Sequence, residues 1–472
     1  MSISTFFSQS FVKSLISRRY LAIALFAGDL IGLVASFYLS RGLCSGQRFE
    51  RSLEQLNPVI CVVALSILAG LYFVDAYRPE VKKGVSISLQ ILASNSTIAV
   101  LSAAYVYLSE TGATDLLVDR RLLLLLAFFT LWFTLWGIVL RWAAIVWFQS
   151  QSQPSRWLVL GDKDHAHQFV RDFSKLNPHD RFVILAEESL PIEQYSLQCG
   201  GGLSSLSTWR SQSWSGAIVA TQSKLAEPHA RQLIRLRLQG MAVYGLLDFY
   251  EAFYRKLPSY LLRDSYFIST SSYKLVSDQI QQNIKRIIDI FAATILMILL
   301  SPVMLLTVLA IRLDSPGSVL YSQTRSGLNC TPFRVYKFRS MYQDAEKRGV
   351  QWAQERDPRI TRVGRWLRLL RIDELPQIWN VLRGEMSLIG PRPERPEFDT
   401  QLAQVIPHYN VRYLVKPGIT GWAQVMYPYG ASVEDASEKL SYDLYYIKNY
   451  SLWLELAIVL KTIRVVLLGK GR

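Results

Sequence analysis

Residues 285–312 read KRIIDIFAATILMILLSPVMLLTVLAIR: about 25 mostly apolar positions between cationic ends, interrupted near the middle by Ser301-Pro302. Proline removes a backbone donor and clashes with the preceding turn, so a bend is expected near Ser301. At 1.5 Å per residue the arm 287–300 is about 21 Å long, short of the roughly 30 Å hydrocarbon core. Two such arms folded back on each other keep both positive ends on one face, as the positive-inside tendency prefers. This reading makes 284–311 a re-entrant membrane helix that enters and leaves by the same leaflet. A proline-kinked spanning helix is the competing reading. It would put the regions before and after it on opposite sides of the membrane.

Upstream, apolar runs at 20–40, 59–74, 87–108 and 122–148 predict four N-terminal transmembrane helices within 1–150. Trp132, Trp136, Trp142 and Trp147 are interface anchors in the last of them. The run 20–40 is long enough to span a bilayer and has no small-residue cleavage site after it, which points to a retained helix. Half of the 472 residues are hydrophobic and the net charge is +15. Such a balance excludes an ordinary soluble enzyme and suits an anionic lipid surface or phosphorylated substrates. Nucleic acid is disfavoured, since so much of the chain is apolar. Cys44, Cys61, Cys199 and Cys330 are scattered without a CxxC pair, so no disulfide framework or zinc site is expected.

After the polar linker 149–155, short β-branched runs alternate with polar helical ones, the pattern of an α/β domain over 151–278. Strands are expected at 157–160, 182–186, 217–220 and 242–247, with a helix at 227–239, forming a small parallel sheet. The first strand runs into Gly161-Asp162-Lys163-Asp164-His165, where a dinucleotide site needs GxGxxG; the second and third glycines are missing. The domain is therefore a degenerate Rossmann-like one. Asp162-Lys163-Asp164 is also a DxD beside His165 and His167, as a metal-dependent glycosyltransferase would carry, but a triplet this short arises easily by chance and is read here as a polar loop at a strand end.

Downstream, over 279–472, Arg359, Arg362, Arg365, Arg368 and Arg371 recur every third residue among Val363, Trp366, Leu367, Leu369 and Leu370. That pattern suits a helix at the membrane interface, or one packed on its own core. RIDELPQIWN (371–380) then sets Asp373 and Glu374 before Pro376, with Gly384 past the next helix, a start and stop pair. Asp373 is either an N-cap or a nucleophile. In the second case the helix dipole and the arginines favour its ionised form, and Glu374 holds a divalent cation. In YKFRSM (336–341) Lys337 and Arg339 fall on one side if extended, and GPRPERP (390–396) is a proline-stiffened loop whose guanidiniums can grip phosphate. With a carboxylate pair, these basic motifs point to phosphoryl transfer.

The ordered motifs Lys285-Arg286 through Ser301-Pro302, YKFRSM, RIDELPQIWNVLRGEMSLIGPRPERPEF and KPGITGWAQV (416–425) resemble the bacterial polyprenyl-phosphate sugar-1-phosphate transferases, the monotopic phosphoglycosyl transferases. The likeness covers roughly 283–472; the four spans and Rossmann-like domain resemble the large subgroup. It implies a membrane α/β protein with a mainly helical C-terminal catalytic domain on the cytoplasmic face of the bacterial inner membrane. The implied reaction takes sugar-1-phosphate from a UDP-hexose to undecaprenyl phosphate, releasing UMP and beginning exopolysaccharide or O-antigen synthesis. By that likeness Asp373 is the nucleophile and Glu374 helps bind Mg²⁺. Lys337, Arg339, Arg392 and Arg395 meet phosphates, Gln424 and Asp443 lie in matching motifs, Ser301-Pro302 is the helix break, and a homodimer is compatible. The rival from another class is a non-catalytic membrane scaffold of polysaccharide export.

Overall fold

The computed structural model describes residues 9–43, 64–68, 70–71, 77, 91, 95, 120–151, 156–176, 180–186, 197–199, 214–221, 225–269, 273, 278–342, 357–427, 430 and 432–467. The chain divides into two compact units, Met1–Val243 and Tyr244–Arg472.

In the first unit, α1 (Gln9–Leu43) and α2 (Arg120–Gln151) are unbroken helices holding apolar stretches of 22 and 21 residues, Leu21–Gly42 and Ala127–Trp147. At 1.5 Å per residue each is about 32 Å long, enough to cross a bilayer. They pack on each other through a buried pair in which the Arg141 guanidinium donates to both Asp29 oxygens, at 2.7 and 2.6 Å. Beside that pair, Trp136 Nε1 donates to Gly28 O at 2.9 Å, and a Cβ on Gly32 would lie 2.2 Å from the Trp136 ring. Gly32→Val is therefore expected to force the helices apart and cost about 1–3 kcal/mol; an unchanged thermal midpoint in detergent would contradict this packing. The runs 59–74 and 87–108 lie, apart from residues 64–68, 70–71, 91 and 95, outside the described residues.

The α/β region comprises β1 (Arg156–Gly161), α3 (Lys163–Leu176), β2 (Arg181–Ala186), β3 (Leu197–Cys199), β4 (Gly216–Ala220), α4 (Glu227–Leu238) and β5 (Val243–Gly245), of which only the last two residues of β5 fall outside the first unit. The strand order is β3-β2-β1-β4-β5, with β1 parallel to β2 and β4. Leu158, Leu160, Val183, Leu185 and Ala217 form its core with Leu233 and Leu236 of α4. The expected strand at 242–247 ends at Gly245, where a helix (Leu246–Phe249) begins, and the short β3 was not visible in the apolar pattern. A ligand in such a sheet binds where the order reverses, between β1 and β4. There Gly161 (φ +144°) lies tight against β4: a Cβ would sit 2.4 Å from the Ala220 backbone. Thr221 Oγ1 donates to the Asp162 carboxylate across the gap at 3.1 Å.

In the second unit the apolar segment forms α5 (Gln279–Asp314), 36 residues whose helix assignment runs on through Ser301-Pro302. Asp278 caps its start, accepting from Ile280 N and Gln281 N. Lys285 and Asp289 are buried where the helix leaves the globular part: Lys285 bonds Glu455, while Asp289 accepts from Ser387 Oγ (2.7 Å) and Leu388 N (3.1 Å). Arg286 donates to Val381 O and Leu382 O. Ala293 packs with Val335, Ile378, Val381 and Met386, and beyond the proline Ile311 packs with Phe338 and Leu367.

The elements that follow α5 are the antiparallel hairpin β6 (Leu320–Ser326) and β7 (Pro332–Phe338), α6 (Arg362–Leu369), α7 (Gln377–Arg383), β8 (Ser387–Ile389), α8 (Pro396–Val405), β9 (Gly418–Thr420), α9 (Trp422–Met426), α10 (Val433–Lys448) and α11 (Leu452–Leu467). β8 and β9 pair in parallel, Ile389 opposite Thr420. Backbone meets backbone here, so that a Cβ on Gly418 would lie 2.0 Å from Gly390 N and one on Gly421 2.1 Å from Gly390 O. Glycine in GPRPERP and in KPGITGWAQV is what lets those two motifs touch. Residues 246–269, which composition groups with the α/β region, belong to this unit: Leu257 and Leu262 share a core with Leu402, Ile406, Tyr409, Leu440 and Leu444. Trp422 Nε1 donates to Arg255 O at 2.9 Å.

Candidate active site

The arginine series does not make one long helix. Arg359 closes on Asp357 in a turn, at 2.8 and 2.6 Å. Thr361 then caps α6, which buries Gly364 and Leu367 and exposes Trp366 with Arg362 and Arg365. Arg371 breaks the chain into a left-handed conformation (φ 56°), which a non-glycine residue holds only at a cost. The turn it makes carries Ile372–Glu374, a single 3-10 turn, before Pro376 and α7, whose end is Gly384 at φ 87°.

Asp373 and Glu374 are both buried in that turn, yet their surroundings differ. Glu374 Oε1 accepts from Lys337 Nζ (3.0 Å) and Arg392 Nη2 (2.6 Å), and Arg371 Nη1 stands 3.8 Å from Oε2. Burial alone would raise its pKa, but Arg392, Lys337 and Arg371 outweigh it and hold the carboxyl well below the usual range. Among the described residues no donor reaches the Asp373 carboxylate. Burial and the adjacent Glu374 charge raise its pKa, against Lys337, Arg368 and Arg392. The arginines do favour an ionised Asp373, as expected, but burial and the Glu374 charge outweigh them. Burial likewise lowers the Lys337 pKa in spite of Glu374.

Gln424 ties the arginines together, its Oε1 accepting from Arg392 Nη1 (3.0 Å) and Arg371 Nη1 (3.4 Å). Four of the expected residues beside Asp373 therefore converge: Glu374, Lys337, Arg392 and Gln424. Arg371, expected on the amphipathic arginine helix, joins them.

The others lie elsewhere. Arg339 is past the end of β7 and caps the C-terminus of α5, donating to Ser315 O (2.6 Å) and Pro316 O (2.7 Å), so it does not share Lys337's side. Arg395 opens α8 as its N-cap. Asp443 is buried against Arg412 (3.0 Å), and burial pushes its pKa up to about 6 despite that partner. Ser301 and Pro302 lie within α5.

Asn380 was missed by the sequence reading, since an asparagine inside an apolar helix carries no distinctive signal. Fully buried, it accepts from Tyr336 N (3.3 Å) and donates to Arg334 O and Glu385 Oε2, both 2.7 Å, pinning β7 and hence Lys337 to α7. Asn380→Ala should cost about 2–3 kcal/mol by leaving buried groups unpaired. A variant of wild-type midpoint and turnover would remove that role.

The pair of carboxylates suits Mg²⁺ in kind, because that ion takes one or two carboxylates and fills its shell with water and substrate phosphates. Among the described residues no group of three or more His, Cys, Asp or Glu comes together to hold a metal unaided. Substrate oxygens would have to complete the shell.

Residues 280–469 match the family described as bacterial sugar transferase. A UDP-N-acetylgalactosamine-undecaprenyl-phosphate N-acetylgalactosaminephosphotransferase of Aeromonas hydrophila is 53% identical over 197 residues, 42% of this chain and 47% of that protein. An undecaprenyl-phosphate glucose phosphotransferase of Komagataeibacter xylinus is 46% identical over 186 residues, 38% of this chain and 35% of that protein. A UDP-glucose:undecaprenyl-phosphate glucose-1-phosphate transferase of Caulobacter vibrioides is 47% identical over 181 residues, 38% of this chain and 68% of that protein. The chain thus spans less than half the length of the first two. It belongs to the bacterial sugar transferase family, and its long apolar helices make it a membrane protein.

Proposed function

We propose that this protein transfers sugar-1-phosphate from a UDP-hexose to undecaprenyl phosphate, releasing UMP and forming undecaprenyl-diphosphate-sugar. It would act at the cytoplasmic face of the inner membrane, as the first membrane step of exopolysaccharide or O-antigen synthesis. The observation that carries this is the division of labour in the carboxylate pair: Glu374 is held by cations, while no donor among the described residues reaches Asp373 beside it. In this reading an Asp373 oxygen attacks the sugar-bearing phosphorus, a P–O bond forms, and the bond to UMP breaks. A phosphate oxygen of the lipid then attacks the same phosphorus and frees Asp373. Lys337, Arg371 and Arg392 neutralise the diphosphate, which accounts for most of the catalysis in phosphoryl transfer. Mg²⁺, when bound by Glu374 and the diphosphate, would add charge neutralisation there; Lys337 and Arg392 are the partners Glu374 would release to phosphate.

We also propose that α5 is re-entrant. The segments on both sides of Ser301-Pro302 pack on one globular body, and Leu375 lies against both the Ala293 and the Ile311 clusters. Arg286 bonds α7 near one end, and Asp314 accepts from Val363 N of α6 at the other. A helix crossing the whole bilayer would carry one of these ends away from that body. Cysteines introduced at Asn283 and Leu313 should both react with an impermeant reagent from the cytoplasmic side; labelling from opposite sides would refute the hairpin.

The activity itself is tested by UMP release from a panel of UDP-sugars, with and without undecaprenyl phosphate and Mg²⁺. Release of UMP is expected with at least one sugar. Its absence with all of them favours the export scaffold.

A further inference from the structure

Four consecutive carbonyls of the loop that carries Arg392 are each held from outside the loop. Gly418 N donates to Pro391 O (2.9 Å), Arg412 Nη2 to Arg392 O (2.9 Å), Arg325 Nη1 to Pro393 O (3.2 Å) and Ser326 N to Glu394 O (3.0 Å). Pro391 and Pro393 have no N–H, so the loop cannot form a ladder of its own and depends on these donors for its path.

Arg412 differs from the other donors in how firmly it is fixed. It is 5% exposed, on the 3-10 segment Tyr409–Leu414, and its Nη1 donates to Tyr409 OH at 2.8 Å. Asp443 of α10 stands 3.0 Å from Nη2, and the Tyr409 and Tyr413 rings lie 5.2 and 5.7 Å from the guanidinium carbon. Both tyrosine hydroxyls donate in turn to Asp399 of α8. A desolvated ion pair adds little net stability, because the cost of removing both charges from water offsets their attraction. Its fork does fix direction. Here the direction leads to the main chain of the residue whose own guanidinium meets Glu374 at 2.6 Å and Gln424 at 3.0 Å.

We propose that Arg412, oriented by Asp443 and Tyr409, is the positioning residue for Arg392. It touches no reacting group. It holds the Arg392 backbone where the side chain reaches the carboxylate pair and the incoming diphosphate. Asp443 therefore serves the site at one remove, by aiming Arg412. This rests on the transferase reading above.

The test uses the full-length protein with Arg412→Lys, Arg392→Lys and the double variant. The measurements are kcat and KM for UMP release, the thermal midpoint, and hydrogen exchange of the Gly418 and Ser326 amides that donate to the loop. Arg412→Lys keeps the charge but loses the fork, and misplacing Arg392 should lower kcat/KM by about 10- to 100-fold. In the Arg392→Lys background the same change should cost under about 2-fold, since a residue acting through another does not add to its loss. Exchange at Gly418 and Ser326, whose amides hold the loop carbonyls, should quicken while the peptide carrying Asp373 is unchanged. Losses that multiply in the double variant, as a general structural role requires, would overturn the proposal. If no UDP-sugar yields UMP with the wild type, the transferase reading fails, and exchange decides the positioning role alone: an unchanged loop in Arg412→Lys rejects it. Should Arg412→Lys not fold, Asp443→Asn gives the same readings.

Discussion

Asp373→Asn is expected to lose turnover by about 10³-fold or more while the protein stays as stable as before, or becomes slightly more so. The first half follows because an amide oxygen is too weak a nucleophile to displace UMP. The second follows from the surroundings: no donor among the described residues satisfies the carboxylate, and burial with the neighbouring Glu374 charge raises its pKa. For an acid whose folded pKa lies above its unfolded value, ionisation opposes folding once the pH exceeds the unfolded pKa. The isosteric amide removes that cost at neutral pH. Thermal unfolding and UMP release on the same preparation check both halves. A variant of near wild-type turnover would remove Asp373 from the reaction, and one with a midpoint many degrees lower would show that the carboxylate is structural.

Glu374→Gln should do the reverse to stability. It takes the anion from between Lys337, Arg371 and Arg392, leaving three cations facing one another in a partly buried space. Removing one member of a fully buried pair costs about 3–5 kcal/mol; solvent at the half-exposed Arg392 reduces this to about 2–3 kcal/mol. For a unit of this size that is roughly a 5–10 °C drop in midpoint. Activity should fall as well, by about 10²-fold, as Arg392 and Lys337 lose the group that aims them. A Glu374→Gln variant that melts with the wild type would mean that the ion pairs contribute nothing and that the cations are held by other contacts. Adjacent residues in one turn thus have opposite signs of effect, which no account based on burial alone predicts.

Much of the site was legible because its elements are punctuated locally. Pro376 and Gly384 bound α7, and the four expected strands of the sheet fall within two residues of their places. What separates Asp373 from Glu374 was not legible, since both are carboxylates in one turn and the difference is made by Lys337 and Arg392, brought in from elsewhere in the chain. Arg339 misled for a related reason. Alternation predicts a shared side only while the strand continues, and β7 ends at Phe338, which turns Arg339 toward the end of α5. Asn380 and Arg412 leave no pattern because their partners are backbone groups of distant segments.

The proposed reaction requires a covalent bond at one side chain, Asp373. Incubating the purified protein with the UDP-sugar that supports UMP release, in the absence of undecaprenyl phosphate, and then digesting it for mass spectrometry should show one sugar-phosphate on the peptide containing residues 372–380. The mass should be lost on adding the lipid phosphate and absent from Asp373→Asn. UMP release without any such adduct, or an adduct that persists in Asp373→Asn, would contradict it.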